Sequence, residues 1–130
     1  MPATDLWPNF TIDPKPRGIR QILEEAGKGL KEKTGGIVEF RVWPTEGRLS
    51  RFPFRLRCEL RVEKLDYDYL LMEVDASATG FPVEVQTGTG GQNSTLKIGD
   101  ESSLLAALAN IFQAERTTAV IQNLISMATE

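Results

Sequence analysis

The sequence predicts an α+β fold, and three features support this class. The spacing of apolar residues is helical near the N-terminus, alternates over residues 37–87, and becomes helical again after Asp100. The 130 residues are 41% hydrophobic and 25% charged, which is typical of a globular protein. Short segments separate the alternating runs, as in antiparallel sheets. We therefore expect a two-layer sandwich with an N-terminal helix, an antiparallel four- to five-stranded β-meander and two C-terminal helices packed on one sheet face.

Proline separates an N-terminal arm from the rest of the chain. Residues 1–16 contain four of the seven prolines, and this density excludes a regular helix or a central strand. We interpret residues 1–16 as an extended arm and residues 17–130 as a single α+β domain.

A helix is predicted directly after the arm. Its apolar residues follow the i, i+3, i+4, i+7 spacing of one helical face, and they are Ile19, Ile22, Leu23, Ala26 and Leu30. The sequence Thr34-Gly35-Gly36 ends it. Two internal glycines, Gly27 and Gly29, each lower helix stability by about 1 kcal/mol relative to alanine, so tertiary packing must stabilise the helix.

Alternating apolar and polar residues predict the strands. The first runs through Val38, Phe40 and Val42, and the others cover residues 54–62, 67–75 and 81–87, with a short fifth strand around Leu96 and Ile98. The register follows because a slip by one residue would turn every apolar side chain outward. The predicted pairs between the second and third strands are Leu60 with Leu70, Cys58 with Met72, Leu56 with Val74, Arg57 with Glu73 and Arg55 with Asp75. Those between the third and fourth are Val74 with Val83 and Met72 with Val85, which place Glu84 beside Glu73.

The C-terminal region is predicted to form two helices. Asp100 is suited to an N-cap, and Glu101 lies in the first turn, where the helix dipole favours a negative charge. The apolar spacing loses its phase between Gln113 and Thr118 and then resumes. We therefore expect a bend there, with both helices covering the sheet.

Enzymatic chemistry has little support in the sequence. The chain has no histidine, which removes the commonest general base and metal ligand. Its one cysteine, Cys58, lies in the apolar series of a strand, where a thiol behaves as a small hydrophobic group. The glycine-rich segment 88–91 lacks the Gly-Lys-Ser/Thr ending of a phosphate-binding loop. We predict a non-catalytic chain with no cofactor and no metal.

Three carboxylates leave a metal site as an alternative. Glu73, Asp75 and Glu84 are expected on one sheet face, where their oxygens could hold Mg²⁺ or Ca²⁺. Cross-strand ion pairs with Arg55 and Arg57 are the simpler explanation of the same residues.

The composition favours a cytoplasmic protein. A single cysteine excludes an intrachain disulfide, and the first residues lack the basic and apolar segments of a secretory signal. No apolar stretch approaches the roughly 20 residues needed to cross a bilayer, so we expect no membrane insertion. The net charge of -3 disfavours general attraction to nucleic acid.

A predicted sheet face rich in arginine and aromatic residues is the strongest functional signal. Its candidate partner-binding residues are Arg41, Trp43, Arg55, Arg57, Tyr69 and Leu71. Arginine, tryptophan and tyrosine are enriched at the hot spots of protein interfaces, and an outward Leu71 would complete an apolar patch. The alternative is that the arm or a loop covers these side chains.

The arm supplies a second candidate site. Trp7 and Phe10, followed by Ile12, are spaced apolar anchors on a stiff segment that could add to a sheet edge or dock on another chain. It could equally fold back on its own domain.

These features predict a protein-interaction or regulatory module: an adaptor, an inhibitor or immunity-type protein, or a chaperone-like protein. Its expected partner is another protein. A homodimer is a further possibility because an edge strand and an aromatic arm can join two copies, although Pro8 and Pro14 could instead guard an edge against pairing. The alternative function is a small RNA or single-stranded DNA binding domain, which interleaved carboxylates disfavour.

Overall fold

The computed structural model describes residues 6–12, 17–46, 52–87 and 94–130, without the side chain of Glu46. It confirms the predicted architecture, with an N-terminal helix, a five-stranded antiparallel sheet in the order β1-β2-β3-β4-β5 and two C-terminal helices. The helices are α1 (Ile19–Gly27), α2 (Leu30–Lys33), α3 (Glu101–Phe112) and α4 (Glu115–Thr129). The strands are β1 (Glu39–Glu46), β2 (Phe54–Val62), β3 (Tyr67–Ser77), β4 (Gly80–Thr87) and β5 (Ser94–Ile98), and a 3-10 turn (Glu63–Leu65) joins β2 to β3.

The predicted N-terminal helix is divided into α1 and α2. Gly27 ends α1 against the ring of Phe40 in β1, and a Cβ at this position would overlap the Phe40 Cδ1, Cγ and Cε1 atoms. Phe40 in turn packs edge-on against Phe112 of α3, with 5.3 Å between ring centroids. The absent side chain therefore lets the helix approach the sheet, which explains a glycine that weakens the isolated helix.

Thr34 joins α2 to β1. Its buried hydroxyl accepts the Val38 N–H at 3.0 Å and lies 3.0 Å from the Leu30 carbonyl and 3.1 Å from the Val38 carbonyl, to either of which it can donate. Gly35 and Gly36 follow with φ of 63° and 85°, the left-handed region that favours glycine. The predicted end of the helical segment at Thr34-Gly35-Gly36 is thus also the device that turns the chain into the sheet.

The pairing of β2 with β3 confirms four of the five predicted pairs. Cys58 lies opposite Met72, Leu56 opposite Val74, Arg57 opposite Glu73 and Arg55 opposite Asp75. A bulge then shifts the register, so that Glu59 pairs with Leu70 and Leu60 with Tyr69. The predicted pair of Leu60 with Leu70 is wrong, because Leu71 is an extra residue in β3.

The bulge also corrects the predicted outward placement of Leu71 and Tyr69. Leu71 is only 9% exposed and belongs to a core cluster. Tyr69 lies opposite the buried Leu60 and packs against the same core cluster. Leu70 faces the other side of the sheet with Glu59. An extra residue reverses the side-chain alternation beyond it, which is why the two faces exchange residues here.

The register between β3 and β4 differs from the prediction by two residues. Ser77 pairs with Gly80, but an irregularity between Ala76 and Ser77 then places Ala76 opposite Val83 and Val74 opposite Val85. A shift of two keeps the valines on the buried face. It moves Glu84 from the predicted place beside Glu73 to a place opposite Asp75.

The core lies between the sheet and the helices. One cluster joins Ile22 and Leu23 of α1 and Leu104 and Leu108 of α3 to β-strand residues that include the fully buried Cys58. A second cluster joins Leu124 and Ala128 of α4 to the other end of the sheet, at Val38, Leu60, Val62 and Leu71. Both C-terminal helices therefore cover one sheet face, as predicted. The predicted cap begins α3, where the Asp100 side chain accepts the Ser103 N–H at 2.7 Å. Within the described ranges, every helix is too short or too polar to span a bilayer.

Replacing Gly27 with alanine should destabilise the protein, because the added methyl group must displace the Phe40 ring. We expect a loss of about 1–3 kcal/mol in the free energy of unfolding, measured by urea denaturation. Gly29→Ala is the matched control, since a Cβ there meets nothing within 4 Å and the backbone is helical. It should be neutral or stabilising by up to about 1 kcal/mol. Equal losses in the two variants would contradict the proposed close approach.

Cys58 should make the free energy of unfolding decrease as the pH rises in the alkaline range. Burial first, and the nearby Glu59 second, raise the pKa of the Cys58 thiol from its ordinary value of 9.0 to about 12. Between these values the unfolded chain loses the thiol proton and the folded chain keeps it, so stability falls as pH rises, by up to about 1.4 kcal/mol per pH unit. Urea denaturation of wild type and Cys58→Ala across this range measures the difference. The same pH slope in both proteins would exclude a thiol contribution.

Candidate functional site

The sheet face opposite the helices carries the candidate site, and we call it the outer face. Cross-strand pairing arranges its side chains in rows perpendicular to the strands. The first row is Thr45, Arg55, Asp75, Glu84 and Lys97; the second is Trp43, Arg57, Glu73, Gln86 and Thr95; the third is Arg41, Glu59 and Leu70; the fourth is Glu39, Arg61 and Asp68. In the described part of the chain, the helices pack on the other face through the two core clusters.

Arg55 and Asp75 form the most enclosed contact of this face. Asp75 is 1% exposed, and it accepts hydrogen bonds from Arg55 Nε at 2.7 Å, Arg55 Nη2 at 3.2 Å and Gln86 Nε2 at 2.8 Å. The hydrogen bond to Asp75 holds the pKa of Arg55 above its ordinary value, against the opposing effect of burial. A paired, two-point contact of this kind holds strands together and leaves Arg55 less available to a ligand.

Two further arginines of the outer face are also neutralised. Arg61 contacts Asp66 at 2.7 Å and Asp68 at 2.9 Å, and these carboxylates raise its pKa. Arg41 lies 3.4 Å from both Glu39 and Glu63. Much of the positive charge that the sequence places on these strands is therefore internally compensated.

Arg57 differs from its neighbours. It lies opposite Glu73 as predicted, yet within the described ranges it forms no salt bridge, and Glu73 approaches Arg55 Nε at 4.0 Å instead. The Arg57 Nε, like that of Arg61, is buried and has no hydrogen-bond partner among the described residues. Because Arg57 lacks an ion pair with any described residue, its terminal amines can still donate to a ligand that reaches the sheet beside it.

Trp43 lies next to Arg57 in the same row. It is 44% exposed, and the Arg41 guanidinium carbon lies 5.9 Å from its ring centroid, within the range of a cation–π contact. An exposed indole between two arginines combines apolar area with directional donors. This is the composition typical of an interface hot spot.

The structure brings together four of the candidate residues predicted for this face and separates two. Arg41, Trp43, Arg55 and Arg57 share the outer face. Tyr69 and Leu71 lie on the helical side, so the expected patch of Trp43, Tyr69 and Leu71 does not form. Leu70, which sequence reasoning assigned to the core, takes an outer-face position. The run Leu70-Leu71-Met72 interrupts the alternation and was the available signal for the bulge.

The described part of the arm is exposed. Trp7 is 77% exposed and Phe10 is 68% exposed, and Leu6 and Ile12 are also largely exposed. None of these four side chains belongs to either core cluster. Residues 1–5 and 13–16 of the predicted arm lie outside the described residues.

A groove borders the outer face along the free edge of β1, and we call it the edge groove. Its wall is formed by α1, α2 and the turn between them, through Arg20, Glu24, Lys28 and Lys31. Its floor is formed by β1, through Phe40 and Trp43. The groove encloses about 340 Å³. It places lysine and arginine side chains beside backbone groups of an edge strand.

The side chains considered for catalysis or metal binding, Cys58 and three carboxylates, lie on strands of the sheet. The single thiol is fully buried with a raised pKa, which leaves it protonated and inert. No set of three acidic or cysteine side chains within the described ranges is arranged to hold a metal ion. Of the three carboxylates considered for such a site, Asp75 is engaged by Arg55 and Gln86. The predicted glycine-rich segment 88–91 lies outside the described residues.

Comparison of the chain with protein-family models, curated proteins and solved structures finds no match.

Proposed function

We propose that this protein is a non-catalytic interaction or regulatory module that binds another protein through its outer face and its N-terminal arm. The observation that carries the proposal is the exposed Trp43 beside Arg57, which forms no salt bridge with a described residue. An exposed aromatic ring is unfavourable in water, and a partner gains affinity when it covers the ring and supplies a hydrogen-bond acceptor to the neighbouring guanidinium.

The arm supports the same proposal through a separate surface. Its four large apolar side chains between residues 6 and 12 are exposed rather than packed into the core. A short segment with spaced aromatic anchors is a common docking element for a groove or sheet edge on another protein. Such a segment could equally join two copies of this chain, so a homodimer belongs to the same proposal.

Charge compensation favours a protein partner over nucleic acid. Arg41, Arg55 and Arg61 are each held by carboxylates, which reduces the field that a phosphate backbone would experience. The chain as a whole has a net charge of -3. A mixed-charge face with a central aromatic residue suits selective recognition of another protein better than non-specific binding of polyanions. We propose the cytoplasm as its compartment, in line with its single buried thiol.

Trp43→Ala tests the proposal when the tagged protein is used to capture partners from native lysate of its source. We expect capture to fall at least about tenfold by quantitative mass spectrometry, because truncating a central aromatic anchor removes about 2 kcal/mol or more of binding. The free energy of unfolding should change less than for a core tryptophan, since 44% of the side chain is exposed.

The matched control is Tyr67→Ala. Tyr67 is also 44% exposed but lies on the helical side of the sheet, opposite the buried Val62. It should capture the same proteins as wild type. Equal recovery by wild type and both variants, or losses of equal size in both, would contradict the assignment of the outer face. Deleting residues 1–16 measures the arm separately.

A further inference from the structure

The edge groove is the feature that the proposed function leaves unexplained. It lies along β1, which is at the edge of the sheet and has no second neighbour among the described strands. Edge strands expose backbone donors and acceptors that can pair with an incoming strand.

The backbone geometry of β1 leaves a usable stretch. Arg20 Nη2 donates to the Val42 carbonyl at 3.3 Å, so the polar groups of Val42 point away from β2 and toward the groove. In an antiparallel strand these directions alternate, so the groups of Phe40 also face the groove. Pro44, the next residue with this orientation, has no N–H, which ends the usable stretch.

The long contact between Arg20 and the Val42 carbonyl only weakly blocks strand pairing at β1. Its Nη2 to oxygen distance of 3.3 Å is near the limit of a hydrogen bond, and the same side chain also pairs with Glu24 through Nε at 2.7 Å. An incoming backbone N–H can replace Arg20 at the Val42 carbonyl while Arg20 keeps its contact with Glu24.

The side chains around the groove define the charge of the occupant. Arg20 is paired with Glu24, and Arg41 with Glu39, whereas Lys28 and Lys31 form no salt bridge with any described residue. Two ammonium groups without a salt bridge therefore remain on the wall of the groove, although Lys28 lies near enough to Glu25 to help lower the pKa of that carboxyl. Phe40 and Trp43 add apolar surface on its floor.

We propose that the edge groove binds an extended acidic peptide segment of a partner protein, which adds to the sheet as a strand beside β1. Backbone groups of Phe40 and Val42 pair with the peptide, its carboxylates face Lys28 and Lys31, and an apolar side chain covers Trp43. This inference names the class of partner and rests on the proposed role of the chain as a protein-binding module. The strand-pairing groups of β1 favour a peptide over single-stranded nucleic acid, which has no complementary backbone.

The test is a titration of ¹⁵N-labelled full-length protein with an end-blocked peptide of alternating glutamate and valine, about eight residues long, the length of an ordinary strand. We expect the amide resonances of Phe40, Val42, Lys28 and Lys31 to shift, together with the Trp43 indole. The affinity should fall with added salt. A lysine–valine peptide of the same length, and the acidic peptide with proline at alternate positions, should leave these resonances unchanged.

Reversing the charge of Lys28 and Lys31 tests whether these two lysines bind the acidic peptide. Lys28→Glu/Lys31→Glu should weaken binding of the acidic peptide about tenfold. The control Lys33→Glu/Lys64→Glu changes the net charge equally at two exposed lysines outside the groove, and it should bind nearly as wild type.

Each other outcome overturns the inference. These are unchanged Phe40 and Val42 amides at millimolar acidic peptide, equal binding of both peptides, equal effects of both double variants, or the same shifts with a single-stranded oligouridylate but not with the peptide. If the peptide fails while lysate capture still depends on Trp43, the proposed function stands and only this inference fails. If the peptide binds while capture is insensitive to Trp43, the assignment of the outer face fails instead.

Discussion

The side-chain alternation of β2 is the constraint on which the rest of the structure depends. Leu56, Cys58, Leu60 and Val62 are buried toward the helices, and Arg55, Arg57, Glu59 and Arg61 lie on the outer face between them. A slip of one residue would place four charged side chains in the core, at a free-energy cost far above the stability of a small domain. The position of β2 therefore determines what β1 and β3 present on each side of it.

The outer face shows how charge pairing selects which residues remain available. β2 brings arginines to the centre of the sheet, and the neighbouring strands and the following turn supply the carboxylates that hold Arg55 and Arg61. Arg57 is left with Trp43 on one side and Glu73 on the other, but with its Nε unsatisfied. The proposed recognition surface consists of the outer-face residues that these contacts leave available, Trp43 and Arg57. It is smaller than the number of arginines in the sequence suggests.

At the edge of the sheet, as on the outer face, structural packing determines which groups remain available to a ligand. Gly27 lets α1 approach Phe40 closely, so the helix carries its cationic side chains along β1 and forms a groove. The same packing that stabilises the helix therefore creates the proposed peptide site. This link explains why a glycine that weakens the isolated helix is compatible with the folded protein.

Local patterns were sufficient to predict most of the fold. Alternation identified β2 and its pairing with β3 near Arg55 and Arg57, and the residue type at Asp100 identified the start of α3. The run Leu70-Leu71-Met72 signals a bulge, but alternation alone does not say which of these residues is the extra one. Leu71 joins the core cluster of Leu124 and Ala128 of α4, which are distant in sequence. The unpredicted bulge moved Tyr69 and Leu71 out of the candidate site and Leu70 toward it. The unpaired state of Arg57 was also beyond sequence reasoning, since the register alone places Glu73 opposite it.

The most direct test of this account is the pattern of nuclear Overhauser effects between β2 and β3. The described pairing predicts cross-strand contacts between backbone protons of Glu59 and Leu70, and of Leu60 and Tyr69. Contacts of Glu59 with Leu71 and of Leu60 with Leu70 would instead show an unbroken ladder. Leu71 would then lie on the outer face, and the recognition surface described above would be incorrect.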